Sequence, residues 1–330
     1  MSESLSQPDA VPPQAHPHAH SITEGGVWHV ASNAARAAGD ESCAHPWWLW
    51  WNILSVDAPA VAVVWAVVFS RSAHLALGAV EALVLGLTVW VIYTGDRLLD
   101  GWLTSGETGL QTRHRFCANH RAALAMMILF AAAASMALAI RDLPLAELNA
   151  GAKLAAIVAA YIVGIHGGRR FLAHLLPKEL AVGVLFAAGT TLPMWSQARL
   201  LSWTSWLALL TFAALCSLNC LSIQCWENGS AENHGFIVTQ RVTANANALV
   251  AWAGLRIDAI AGCLAVVALF PFFLAGRKTL RAPELPAIAV AAVLMLLLNR
   301  YRHRFSRPAL RVLADAILIM AGLFALFTQT

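Results

Sequence analysis

Nine apolar stretches of helix length follow one another through most of this chain, and little that is polar separates them. They lie at about 47–70, 74–95, 121–140, 148–166, 179–197, 203–226, 251–275, 284–299 and 309–328. Roughly 20 apolar residues cross the ~30 Å hydrocarbon layer as a helix. Backbone amides in lipid must be paired within their own segment, which excludes isolated strands. Of the 330 residues, 59% are apolar and only 12% are charged, about half the charge that a soluble domain carries. The expected fold is therefore all-α, a polytopic membrane protein with about nine transmembrane helices in one domain over residues 46–330. Residues 1–45, rich in Ser, Pro, Ala and His without apolar periodicity, are expected to form a disordered cytosolic tail. His16, His18 and His20 belong to that solvated tail.

The placement of positive charge predicts an orientation. With the N-terminus inside, fifteen of the 22 Lys and Arg residues fall on the inner side of the expected helices. The positive-inside rule then puts the C-terminus outside and requires an odd number of crossings. The net charge of +4 is not gathered into a basic domain, so no nucleic-acid partner is expected. Six cysteines contain no CxxC pair and read as small buried hydrophobes in a reducing setting. No basic region followed by a short apolar core opens the chain, so no cleaved signal peptide is expected. The localisation expected is a prokaryotic inner membrane.

Polar residues at membrane depth are costly and mark where function is to be sought. Two clusters close the second and sixth expected helices. The first reads Tyr93-Thr-Gly-Asp96-Arg97-Leu-Leu-Asp100. Asp96 and Asp100 are one helical turn apart and share a face, an oxygen-only pair of a kind that suits Mg²⁺. Arg113, Arg115 and His120 follow in the next loop, and the arginine fork matches phosphate oxygens. An ordinary helix end, with its acids paired to neighbouring arginines, accounts for this cluster equally well. The second runs from Asn219 through Ile223 to Glu227, three residues on one face, with Glu232 beyond. Interhelical hydrogen bonding is the plainer account of that face. Both clusters fall at the same membrane side, where two acid-bearing helix ends are able to hold Mg²⁺ and a diphosphate between them.

This arrangement resembles the UbiA superfamily of intramembrane prenyltransferases over nearly the whole folded chain, from about residue 47 to 328. The resemblance aligns Asp96 and Asp100 with the aspartates of the family's first signature and Glu227, with Glu232, with its second. Ile92 stands where the first signature has asparagine, and Glu227 and Glu232 are five apart where the family has aspartates four apart. The resemblance implies transfer of an isoprenoid group from a prenyl diphosphate to a lipophilic or aromatic acceptor. It implies Asp96, Asp100, Glu227 and Glu232 as Mg²⁺ ligands. Arg97, Arg113, Arg115 and Lys178 would hold the diphosphate, and Tyr93 and Asn219 would orient substrate.

Buried acids elsewhere open a second class of function. Asp57, Asp258 and Asp315 lie within expected helices, as do acids lining ion or proton paths in transporters. The i, i+4 spacing of Arg311 and Asp315 predicts a local ion pair, and Asp57 either has a partner on another helix or stays protonated. Trp90 and Trp226 lie nearest the acidic clusters and are expected in a chamber wall. A transporter built on the buried acids and a catalytically inactive UbiA-like membrane protein are the alternatives to the enzyme.

Overall fold

The computed structural model describes residues 50–52, 54–103, 120–166, 177–197, 202–228, 252–275 and 282–329. Every regular element among them is helical: α1 (Asp57–Ser72), α2 (Ala79–Leu103), α3 (Arg121–Asp142), α4 (Leu145–His166), α5 (Lys178–Thr190), α6 (Leu192–Gln197), α7 (Trp203–Asn228), α8 (Ile257–Ala275), α9 (Glu284–Arg300) and α10 (Arg307–Thr328), with a single 3₁₀ turn (Arg302–Arg304) before α10.

Among the described residues, six helices are long and apolar enough to cross a membrane: α2, α3, α4, α7, α8 and α10. The other three expected crossings correspond to shorter elements. At 1.5 Å per residue, α1 and α9 reach only about 25 Å. The expected helix over 179–197 is divided at Thr191 into α5 and α6. Pro193 in the first turn of α6 accounts for the break, because a helix continuing through it would drive the ring against the Gly189 carbonyl.

The outer faces of these helices are apolar. Phe130 and Met126 on α3 are 78% and 68% exposed, and Phe273 on α8 is 82% exposed. Contiguous exposed apolar surface on several helices is what a lipid-facing wall requires, so the chain is an integral membrane protein.

Inside, α1 and α7 form the centre. α1 packs on α2, α5, α9 and α10, and α7 packs on α5, α8, α9 and α10. Trp65 and Phe69 of α1 meet Phe212 of α7 with ring centroids 4.6 and 5.3 Å apart. The Trp65 indole N–H donates to the Leu318 carbonyl of α10 at 2.9 Å. Small residues allow this approach. A Cβ on Gly322 would lie 3.2 Å from the Trp65 indole nitrogen and 2.5 Å from a Val64 methyl. A Cβ on Gly183 of α5 would lie 2.5 Å from the backbone nitrogen of Ser217 on α7. Within lipid, such close backbone contact replaces the hydrophobic drive between helices.

Candidate functional site

Just before α1, Ser55 takes a positive φ of 58° and the chain turns back. That turn carries Asn52 within reach of Asp57, whose Oδ2 accepts a hydrogen bond from Asn52 Nδ2 at 2.5 Å. Asp57 Oδ1 accepts from the Ala58 amide at 3.0 Å. Arg97 of α2 anchors the same turn, donating from Nη1 to the Asn52 carbonyl at 2.8 Å and to Ser55 Oγ at 2.7 Å. Its guanidinium stacks on the Tyr93 ring, 4.6 Å from the centroid. The Nη2 group of this buried arginine has no hydrogen-bond partner among the described residues.

Asp315 of α10 reaches the cluster from the opposite side. Its Oδ1 accepts from Asn219 Nδ2 of α7 at 3.0 Å. Its carboxyl lies against that of Asp57, and both interact with Arg97. Asp57 is 1% exposed and Asp315 8%. Two buried carboxyls thus lie near one buried guanidinium, whose Nη1 hydrogen bonds go to Asn52 and Ser55.

Beside them lies a cavity of about 50 Å³ between α1, α2, α5, α7 and α10. Tyr93, Asn219 and Asp315 give it one polar edge, and Val61, Phe186 and Leu318 are part of its apolar wall. Asn219 Oδ1, on a side chain that is 92% buried, has no hydrogen-bond partner among the described residues.

Two interhelix ion pairs stand beyond one end of this cavity. Lys178 Nζ, at the first residue of α5, lies 3.1 Å from Asp96 Oδ2 of α2. Asp96 is three residues past Tyr93 and Lys178 four residues before Val182, each about one turn beyond the cavity lining. Arg311 Nη2 lies 2.5 Å from Glu227 Oε1. Arg311 precedes Asp315 by about one turn, and Glu227 follows Asn219 by about two. Cys220 of α7 faces Lys178 and Glu179 of α5, so α5 and α7 run antiparallel and both pairs fall at the same end.

Of the residues predicted from sequence, Tyr93 and Asn219 line the cavity, Arg97 stacks on the first of them, and Asp96, Lys178 and Glu227 stand at its end. Arg113, Arg115, Glu232 and the side chain of Asp100 lie outside the described residues. One expected partner differs. Arg311 does not pair with Asp315, because the two point to different neighbours across the bundle, Glu227 and Asn219. Asp258 is held by Arg300 at 3.3 Å and by Asn299 at 2.9 Å, while the preceding Arg256 stacks on Trp252. Neither tryptophan expected in the chamber wall is there. Trp90 donates to the Leu54 carbonyl in an apolar groove between α1 and α2, and Trp226 donates to Asn299 Oδ1 at 2.9 Å. Asn52 and Ser55, the partners of Arg97, carried no signal beyond the cost of an amide at membrane depth.

Among the described residues, no three His, Cys, Asp or Glu side chains are gathered as a metal site. Asp96 and Glu227 are nonetheless hard oxygen donors of the kind Mg²⁺ takes, with side chains 30% and 20% exposed at the cavity end. Both are accessible and each is already paired with a cation. No family model, curated protein or solved structure matches the chain.

Proposed function

We propose that this protein is a divergent UbiA-like prenyltransferase of nine membrane helices, moving an isoprenoid group from a prenyl diphosphate to an acceptor. The observation that carries the reading is the convergence at the cavity. Tyr93, Asn219, Asp96, Lys178, Arg97 and Glu227 come from three helices far apart in sequence, and they meet around one cavity and its end.

In this reading Lys178 and Arg97 bind the diphosphate. Lys178, 40% exposed and paired with Asp96, presents its ammonium at the cavity end, while Arg97, held by Asn52 and Ser55, adds a fixed buried positive charge nearby. Such donors stabilise the charge that develops as the leaving group departs. Asp96 and Glu227, with Asp100 and Glu232, would hold Mg²⁺, which when bound adds further neutralisation of the diphosphate. Arg113 and Arg115 are assigned to the same anion by resemblance. The apolar cavity wall excludes water from a reactive allylic carbon. Tyr93 is held beneath Arg97 and Asn219 against Asp315, so both present fixed faces to a substrate.

Binding of a non-hydrolysable prenyl thiolodiphosphate to the purified chain, with and without Mg²⁺, tests this directly. Mg²⁺-dependent binding that is lost in Asp96→Asn is the expected result. Absence of binding in every condition would remove the enzyme reading.

A second reading is a proton or ion translocator. It is favoured by Asp57 and Asp315, two acids buried side by side at membrane depth, where ionisable groups commonly mark a path. Uptake into proteoliposomes that depends on Asp57 and Asp315, and not on Asp96, would select it.

A further inference from the structure

The turn from α9 into α10 reads Asn299-Arg-Tyr-Arg-His-Arg-Phe-Ser-Arg307 and contains no acid. Every residue from Arg300 to Arg307 is exposed, yet the turn is held in place. Asn299 Oδ1 accepts from the Trp226 indole of α7 at 2.9 Å and from Arg302 Nη1 at 3.3 Å. Its Nδ2 donates to Asp258 of α8 at 2.9 Å. The 3₁₀ turn Arg302–Arg304 follows, and the Arg304 guanidinium stacks on Tyr301, 5.1 Å from the ring centroid.

Charge there is unbalanced. Arg300 faces Asp258 and Arg311 faces Glu227. Arg302, Arg304 and Arg307 meet no carboxylate among the described residues. Arg307 also opens α10, whose first turn has no acid and whose N-cap Ser306 makes no side-chain hydrogen bond. A helix N-terminus carries partial positive charge, so three guanidiniums and a dipole end of the same sign crowd one turn. An anion among them relieves that repulsion.

Position identifies the anion. α10 is long and apolar enough to cross the membrane and begins at Arg307, so the turn before it lies at the boundary between lipid and water. Tyr301 and Phe305, 48% and 43% exposed, alternate with the arginines. Aromatic rings at that depth sit among headgroups, and the arginine fork matches phosphate oxygens. A second pair of the same kind stands just before α8, where Arg256 covers the exposed ring of Trp252 at 4.9 Å. A phospholipid offers phosphate and acyl chain together, as this alternation requires, whereas an acidic soluble surface offers only the charge. Its headgroup must be net negative, because a choline cation would be brought against the arginines.

We infer that the α9–α10 turn is a binding surface for anionic phospholipid headgroups. Arg302, Arg304 and Arg307 take the phosphate, and Tyr301 and Phe305 lie against the upper acyl carbons. The surface is independent of the prenyltransferase reading and serves an enzyme or a translocator alike.

The test titrates the full chain in detergent with dioleoylphosphatidylglycerol and with dioleoylphosphatidylcholine, read by native mass spectrometry. The anionic lipid should bind at least about tenfold more tightly, a conservative figure for three arginines worth about fivefold each. Arg302→Gln, Arg304→Gln and Arg307→Gln combined should bring the two lipids level. Arg71→Gln, Arg141→Gln and Lys153→Gln combined remove equal charge at exposed positions elsewhere and should leave the preference in place. No preference in the wild type, or equal loss in both triple variants, would overturn the inference. An excess of inorganic phosphate should not displace the lipid; displacement would assign the turn to free phosphate instead. Photoactivatable benzoylphenylalanine in place of Phe305, irradiated in native membranes, should give lipid adducts. A cross-linked protein band in their place would make the turn a protein-docking surface, and this measurement decides even where a triple variant fails to fold.

Discussion

Arg311 of α10 and Glu227 of α7 are joined at 2.5 Å, tying the last described helix to the helix that carries Asn219. With side chains only 13% and 20% exposed, this pair is mostly withdrawn from solvent, so loss of Arg311 removes a cation from a largely buried carboxylate. Arg311→Met is expected to lower stability by about 2–3 kcal/mol, below the range for fully buried pairs. Thermal unfolding in detergent measures it, and Glu227→Gln combined with Arg311→Met should recover part of the loss.

The Lys178–Asp96 pair is more open, with side chains 40% and 30% exposed. Its contribution to stability should stay within about 1 kcal/mol, as for exposed pairs. Lys178→Met should therefore unfold near the wild-type temperature. It should still weaken binding of a prenyl thiolodiphosphate about tenfold, read by titration calorimetry. Unchanged affinity would remove Lys178 from the diphosphate site.

Two glycines should respond oppositely to alanine. Gly183→Ala forces a methyl against the Ser217 backbone and should cost about 1–3 kcal/mol through overpacking of α5 on α7. Gly95→Ala, next to Asp96 with open space around its Cα, should be neutral or stabilising by up to about 1 kcal/mol through helix propensity. Chemical denaturation of the two variants in one detergent compares them.

Trp65→Phe keeps most of the ring packing and removes the N–H donated to the Leu318 carbonyl. A loss of about 1 kcal/mol is expected, whereas Trp65→Ala should cost about 3–5 kcal/mol. Both variants are measured by thermal unfolding.

The proposed nine crossings, with the N-terminus inside as the positive charges predict, would place the two chain ends on opposite faces of the membrane. Fusions of alkaline phosphatase and of green fluorescent protein to the C-terminus should give phosphatase activity and no fluorescence. The reverse result would overturn this topology.

Helix positions were legible because apolar length is a local property of the chain. The stretches expected at 121–140 and 203–226 appear as α3 over Arg121–Asp142 and α7 over Trp203–Asn228. The first helix was misjudged at its start. Apolarity continues back to Trp47, but the turn at Ser55, with its positive φ, delays α1 to Asp57. Pairing was far less legible. Spacing along one helix relates Arg311 to Asp315, yet the geometry between helices gives Arg311 to Glu227 and Asp315 to Asn219. Tyr93 and Asn219 were found because polar groups at the end of an apolar run are costly. That cost does not reveal that the two line one cavity, since the crossing of α2 and α7 is set by small residues and ring packing elsewhere in the bundle.

The packing of α10 on α1 also constrains how the protein is made. Asp315 and Leu318 leave the ribosome some 250 residues after α1, so α1 must wait in the bilayer while the intervening helices are inserted. During that interval the Trp65 indole has yet to meet its carbonyl, and Asp57 lacks the company of Asp315. A cavity whose wall needs α10 as well as α1 cannot form while only the earlier helices have been inserted.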